Sequence, residues 1–355
     1  MTGRRRIALI TPGFPRDEAD TSCIPPLQIA LRRLRRRHPD LRITVVALHY
    51  PDNRRPYTWH EMEVLPVGAA NRPLPLRLPA LARAARILSR RHREDSIDMI
   101  HALWLGDTTM LGWWIGRRLG LPVVATVMGQ DARPTNRWLK FLPLDGVRLT
   151  AVSQRSADEL MLSRGLPAEV IPWGLDPERG DPPAWNDRPI DLLGVGSLTE
   201  NKDFTVLVRT AAELQRMGRE CRTVLIGDGL QRRRLEGLVR ELGLGDCFFL
   251  EGQLSRKQVL ESMRRSKILV HPARYESSGF VFSEALANGM AVVSRPVGAA
   301  RASDRWKLCE ASDGFSSAIE KTLDHPPGTE AVTVHSEDET ADALAALYRS
   351  VRRPR

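Results

Sequence analysis

At 355 residues the chain is long enough for two domains of ordinary size, each with its own core. Its 42% hydrophobic content is that of a folded globular protein, and no apolar run nears the ~18 residues of a membrane span, which sets aside the disordered and membrane-spanning classes. The formal charge of +10 is concentrated in residues 1–95, where nineteen Lys/Arg face nine Asp/Glu, an excess equal to that of the whole chain. An anionic membrane, an anionic acceptor or nucleic acid would suit such a surface, and so would plain solvation of Arg-rich helix faces. Cys23, Cys221, Cys247 and Cys309 form no C-x-x-C pair and have no flanking His, which points to reduced thiols in a cytoplasmic protein rather than to zinc.

Arg4-Arg5-Arg6 before Ile7–Ile10 has the look of a secretory signal, but the apolar part is too short and Thr11-Pro12-Gly13 breaks it. It reads as a first strand, 7–11, followed by a loop through Gly13. A basic amphipathic helix, 26–37, and a strand, 41–48, follow. Residues 54–65 look irregular, with Tyr57 and Trp59 open to solvent. From 74 to 91, Leu78, Leu81, Ala85 and Leu88 recur helically among Arg77, Arg83, Arg86, Arg90 and Arg91. Such a helix lies on an anionic membrane or packs its leucines on its own sheet, the second being the commoner case. Strand 97–101 ends in His101, more readily a satisfied core histidine than a catalytic one. Helix 107–119, strand 123–127, strand 148–153 and helix 157–164 complete the half, and Pro177–Arg188, rich in Pro, Asp and Gly, reads as a linker.

The second half repeats the βα layout: strands at 190–195, 223–226, 248–253 and 268–270, with helices at 204–215, 230–242 and 254–266. The stretch after the last of these strands is the most informative. A polar loop, Arg274–Gly279, leads into a helix, Phe280–Asn288, stopped by Gly289, and a short strand, Ala291–Ser294, completes the unit. Strand, loop, helix and strand in this order place ligands at the carboxyl ends of parallel strands. The amides of Gly279, Phe280, Val281 and Phe282 would face a phosphate, with Gly279 letting the backbone come close. Glu276 before the helix and Glu284 within it would accept hydrogen bonds from hydroxyls on either side of that phosphate. Two acids decorating a solvated helix start are the plainer alternative. Helices at 314–323 and 338–351 end the chain.

Glu276-x7-Glu284, with Pro272 upstream and Gly289-Met290-Ala291-Val292-Val293 after it, resembles the retaining glycosyltransferases of family 4, built on the GT-B fold. The resemblance runs over about 7–300. Gly196 and Lys202 match the family's G-R-L-x-x-x-K-G with Ser197 in place of Arg, and Ile226-Gly227-Asp228-Gly229 matches its I-G-D-G. Asp98-x-x-His101, Ile171-Pro172-Trp173-Gly174-Leu175-Asp176 and the Pro296–Ala300 glycine turn are further matches, with Trp173 where the family has Asn. Met128-Gly129-Gln130-Asp131 stands where the family has His-Gly-x-Asp, and Asp17–Cys23 fills the place of a double glycine.

The resemblance implies an α/β, GT-B architecture of two Rossmann-like domains with parallel sheets facing across a cleft. Residues 1–176 would be the acceptor-binding domain, 177–188 the linker, 189–335 the nucleotide-sugar domain, and 336–355 a helix packing back on the first domain. It implies Glu276, Lys202 and Asp131 as catalytic groups. Donor contacts would come from Gly13, Ser197, Lys202, Gly279, Phe280, Val281, Glu284 and, through backbone, Gly252 and Gln253. Lys202 would stabilise the diphosphate as charge builds on it, and the missing Arg leaves one cation where the family has two, unless Arg274 or Arg295 compensates.

The activity implied is transfer of a hexose from a UDP- or GDP-linked sugar to an acceptor hydroxyl with retention, without metal or other cofactor. The acceptor would be carbohydrate or lipid-linked, in cell-surface polysaccharide or glycolipid synthesis. The expected place is the cytoplasm, with peripheral contact to an anionic membrane through the basic N-terminal helices as one option. A nucleotide-sugar binder without chemistry is the alternative that Met128 and Ser197 prompt, and an epimerase is a weaker one. The absence of G-x-G-x-x-G speaks against a dehydrogenase, and the lack of aromatics among the basic helices against nucleic acid.

Overall fold

The structure, a computed structural model, describes residues 4–70, 72–175 and 181–352. The chain divides into two compact units, one formed by the segments up to Gly174 and from His335 on, the other by Leu175–Val334.

The first unit holds β1 (Arg5–Gly13), α1 (Pro25–Arg37), β2 (Leu41–Tyr50), β3 (Tyr57–Trp59), β4 (Met62–Pro66), α2 (Leu74–Glu94), β5 (Met99–Leu103) and α3 (Asp107–Leu119). It continues with β6 (Val123–Val127), β7 (Val147–Ala151), α4 (Gln154–Arg164) and β8 (Glu169–Val170). The sheet order is β3-β4-β2-β1-β5-β6-β7-β8, parallel except for the β3–β4 hairpin. Helices cover both faces, so the central strands are buried nearly throughout and read as continuous apolar runs. Alternation along β1 sends Ile7 and Leu9 into one core with α1, and Ala8 and Ile10 into another with α2 and α3. Residues 54–65 depart from the expected irregular loop. Glu63 to Pro66 pair in parallel with β2, and Trp59, far from solvent, packs edge-on against Phe14 at 5.0 Å. Left-handed His60 and Glu61 make the tight turn that the sequence pattern hid.

The helix α10 (Glu337–Ser350) opens on a Ser336/Glu339 capping box and packs against α1. Arg33 grips Asp338 at 2.6 and 2.8 Å, and Arg37 grips Asp342 at 2.7 and 2.8 Å, although ion pairs this open to solvent add little to stability. Burial of Leu344, Leu347 and Tyr348 holds the helix more firmly, at about 1.5–3 kcal/mol per large side chain. Gly174 is required by this docking: a Cβ there would lie 2.0 Å from the Ser336 carbonyl oxygen.

The second unit holds β9 (Ile190–Val195), α5 (Thr205–Arg216), β10 (Thr223–Ile226), α6 (Arg232–Glu241), β11 (Phe248–Gly252) and α7 (Arg256–Arg264). Then follow β12 (Ser266–His271), α8 (Phe280–Ala287), β13 (Ala291–Ser294), β14 (Trp306–Leu308) and α9 (Gly314–Asp324). All its strand pairs are parallel, in the order β11-β10-β9-β12-β13-β14. Leu192, Leu225, Ile268 and Val293 face α5, α6 and α9, while Leu193, Val224, Leu269 and Val292 face α7 and α8. The direction of winding reverses between β9 and β12, and the crevice at their carboxyl ends is where such a sheet receives a ligand. Of the expected linker, residues 177–180 lie outside the described residues. Its end is anchored, because buried Arg188 donates to the carbonyls of Pro183 and Ser266. No helix among the described residues is long and apolar enough to cross a membrane.

Candidate active site

The loops after β9 and β12 meet at the reversal point. Gly196 follows β9 with φ +152°, and its carbonyl sits so close to Gly227 that a Cβ on Gly227 would lie 1.8 Å from it. A single 3-10 turn, Glu200–Lys202, follows and ends on left-handed Asp203. Asn201 ties this turn to the loop after β12, donating from Nδ2 to the Tyr275 carbonyl at 3.0 Å and accepting from the Arg274 amide at 2.9 Å. The turn therefore delivers Lys202 Nζ onto Glu276 Oε1, with the two side chains 18% and 14% exposed.

The same carboxylate oxygen accepts a hydrogen bond from His271 Nε2 at 2.8 Å. A carboxylate only accepts, so Nε2 carries the proton, and Nδ1 is left buried without a partner among the described residues. Burial lowers the His271 pKa, against the pull of Glu276, so the ring is a neutral donor. For Glu276 burial acts to raise the pKa, but the His271 hydrogen bond and the Lys202 charge outweigh it and hold the carboxyl down at about 2. It is ionised at neutral pH and suited to accepting hydroxyl hydrogen bonds rather than to donating a proton.

A carboxyl whose pKa is depressed on folding stabilises the fold above its ordinary titration range and loses that contribution as pH falls through the folded value. The stability gap between wild type and Glu276→Gln is therefore expected to be full above about pH 4.5 and to shrink steadily toward pH 2. Denaturant unfolding at stepped pH reads this directly. A gap that does not change with pH contradicts it.

Three residues after Glu276 stands Gly279, the residue that leads into α8, whose φ of +70° and contact with the Phe282 ring (2.4 Å from a would-be Cβ) exclude any side chain. No side chain caps this helix, so the amides of Phe280 and Val281 stand at an open helix N-terminus. Gly298, with φ +63°, walls the loop by packing against Ser278 and Glu276. Glu284 lies one turn into α8, where Arg256 Nη2, from the first residue of α7, donates to its Oε1 at 2.7 Å. Ser197 and Gln253 are exposed at the ends of β9 and β11, and the Gly252 carbonyl accepts from the Gly227 amide at 2.8 Å. Ser197, Lys202, Gly252, Gln253, Glu276, Gly279, Phe280, Val281 and Glu284 thus share the carboxyl edge of one sheet. Arg274 and Arg295, the two arginines that could compensate for the missing Arg, both turn to Asp203, at 3.0 and 3.3 Å.

In the first unit the expectation for Asp131 needs correction. Asp131, expected to act in catalysis, is 8% exposed and accepts from the amides of Leu105, Met128 and Gly129 at 2.8, 3.1 and 2.7 Å. Burial pushes its carboxyl up against the pull of these amides. The carboxylate is used up holding the loop after β6 and has no face left for a substrate. Gly13 ends β1 in a place that does not demand glycine, since a Cβ would make an ordinary 3.4 Å contact with Cys23 Sγ. His101 is a core residue, bonded to Tyr348 Oη at 2.8 Å and Thr126 Oγ1 at 2.6 Å, with its pKa lowered by burial to about 3.

Sequence reasoning missed His271, Arg256 and a third group, Asp107, whose carboxylate holds His49 Nε2 at 3.0 Å and Arg77 Nη1 at 2.9 Å. The position of His271 directly before Pro272, at the end of an apolar strand, was the one available signal. Nothing local marks Arg256 or the Asp107 group, whose partners come from other elements.

Residues 23–179 match the family model Glycosyltransferase Family 4, and residues 178–303 match Glycosyl transferases group 1. Among curated proteins the chain is similar to the alpha-D-kanosaminyltransferase of Streptomyces kanamyceticus, 30% identical over an alignment 188 positions long that covers 47% of this chain and 47% of that protein. The chain spans about half the length of the first curated relatives it matches. Among solved structures it is similar to sucrose-phosphate synthase from Thermosynechococcus elongatus, with TM-score 0.76, 18% identity and 98% of each chain covered. It is also similar to Anabaena HepE, solved in complex with UDP and glucose, with TM-score 0.74, 16% identity and 97% and 99% of the two chains covered. These likenesses establish the two-domain GT-B fold.

Proposed function

We propose that this chain, which belongs to the glycosyltransferases of family 4 and group 1, moves a hexose from a UDP- or GDP-linked sugar to an acceptor hydroxyl with retained configuration. The observation that carries the reading is the Lys202–Glu276 pair set beside the uncapped start of α8. The donor's diphosphate lies against the amides of Phe280 and Val281, and Lys202 turns from Glu276 to a phosphate oxygen. Glu276, still held by His271, accepts from the sugar hydroxyls, and Glu284, steadied by Arg256, accepts from the ribose.

The bond between the anomeric carbon and the phosphate oxygen breaks, leaving the nucleoside diphosphate. The acceptor oxygen bonds to the same face of that carbon, and its proton passes to the leaving phosphate. Charge that builds on the diphosphate is met by Lys202 and the helix amides, so the scheme calls for no divalent cation. The acceptor is a carbohydrate or lipid-linked sugar of the kind used in cell-surface polysaccharide or glycolipid synthesis. HepE's capture with UDP and glucose supports a nucleotide-sugar donor.

Incubation with a panel of UDP- and GDP-sugars and acceptor extracts, with the product anomer read by NMR, tests the proposal. Retained configuration is expected, and an inverted product overturns the scheme. Met128, half-buried against the core where the family has His, favours a second reading of donor binding without transfer. Calorimetric donor binding with no turnover across the whole acceptor panel would decide for it. Arg256→Ala should raise the donor KM about tenfold with kcat nearly unchanged, because a lost charge-assisted hydrogen bond to a ground-state contact is worth ~1.5 kcal/mol. A fall in kcat at constant KM would contradict the placement of Glu284 on the ribose.

A further inference from the structure

The face of the first unit formed by α2 and α3 is left with apolar side chains in solvent. Ala80, Ala84, Ala85 and Leu88 seat α2 on the sheet, but Leu76 and Leu78 stand 63% and 59% exposed. On α3, Trp114 is 47% exposed. An open groove of about 960 Å³ runs between the two helices, floored by Leu81, Met110 and Leu111. Its margin carries Arg86, Arg93 and Arg118, none of which forms an ion pair among the described residues, whereas the neighbouring Arg90 is matched by Glu94 at 2.6 Å. The Arg118 guanidinium lies over the Trp114 ring, 5.8 Å from its centroid.

A purely solvated basic face accounts for the arginines and not for the leucines, and a buried protein core would not be rimmed with unmatched cations. We propose that this face seats the chain on the surface of an anionic lipid bilayer. Leu76, Leu78 and Trp114 enter the boundary between headgroups and acyl chains, while Arg86, Arg93 and Arg118 meet lipid phosphates. Exposed leucines beside an amphipathic indole, ringed by cations, match the layered chemistry of that boundary. The concentration of the whole net charge in residues 1–95 adds attraction of the same sign.

The test is flotation of the full chain with vesicles of phosphatidylcholine alone and of phosphatidylcholine with phosphatidylglycerol. No donor or acceptor is present, so failure here leaves the transferase reading untouched. Binding to the anionic vesicles is expected, with weakening between 0.1 and 1 M salt as the charges are screened. Each arginine replaced should weaken partitioning about fivefold, so the combined Arg86→Glu, Arg93→Glu and Arg118→Glu protein should lose at least about a hundredfold. Leu76→Ser with Leu78→Ser should lose about tenfold at any salt. All five positions are exposed, so an unchanged thermal midpoint certifies the fold of each variant. Absent binding, equal binding to neutral vesicles, or wild-type binding by both variants overturns the proposal. A concentration-dependent dimer in sedimentation velocity, dissolved by the leucine changes without any vesicle binding, would assign the face to a second copy of the chain instead.

Discussion

Lys202→Ala is expected to lower kcat for sugar transfer by about 10²–10³-fold while the donor KM changes far less. Among the described residues the ammonium is the one side-chain cation on Glu276, and Arg274 and Arg295, its nearest substitutes in sequence, are turned to Asp203. An interaction that strengthens as the diphosphate departs acts on the transition state more than on the bound donor, which puts the loss in kcat. Lys202→Arg should recover only part of the rate, because a planar fork held by the 3-10 turn does not present a point charge in the same place. Glu276→Ala should be similarly damaging by another route, through loss of the group that orients the sugar and of the charge that keeps Lys202 in the site. The measurement is initial rate against donor concentration for the three variants, with thermal midpoints as a folding control. Turnover within threefold of wild type in both alanine variants would remove the basis for the proposed chemistry.

The second large effect is structural. Gly227→Ala should destabilise the second unit by about 4 kcal/mol or more, lowering its thermal midpoint by roughly 10 °C. Its φ of +144° is a conformation left to glycine, and the added Cβ would lie 1.8 Å from the Gly196 carbonyl oxygen, a backbone atom that cannot swing aside. Gly196 starts the loop that delivers Lys202, so the surviving folded fraction should also bind donor poorly. Gly237→Ala provides the contrast: it lies inside α6 with open space about its Cβ, and should raise stability by about 0.5–1 kcal/mol. Calorimetry on the two variants reads both effects. A Gly227→Ala protein melting within a degree or two of wild type would show that the close approach of the two loops is not required.

Particular elements show how far the sequence alone could be read. Strands 123–127 and 291–294 and helix 107–119 match β6, β13 and α3 to the residue, because each is an apolar run or periodic pattern bounded by Gly or Pro. The hairpin at 57–66 escaped because its turn uses His60 and Glu61 at positive φ in place of Gly or Asn. The carboxylate and amide groups of the 276–284 stretch could be proposed as neighbours, since a loop and one helix turn bring them together locally. Whether a given acid was free or spent could not, as Asp131 shows: its neighbours in sequence suggested chemistry, and its buried amide contacts exclude it.

The order of strands and helices, the α/β class and the glycine-led loop before α8 were set by local pattern, since apolar period and turn chemistry act between residues close in the chain. Tertiary packing alone decided which charges meet. Lys202 reaches Glu276 across 74 positions, Arg256 reaches Glu284 across 28, and Arg33 reaches Asp338 across 305. Burial, which sets whether a carboxyl or imidazole is ionised, likewise depends on neighbours from several elements at once. The electrostatic character of the site is therefore a property of the assembled sheet edge, and no window of sequence contains it.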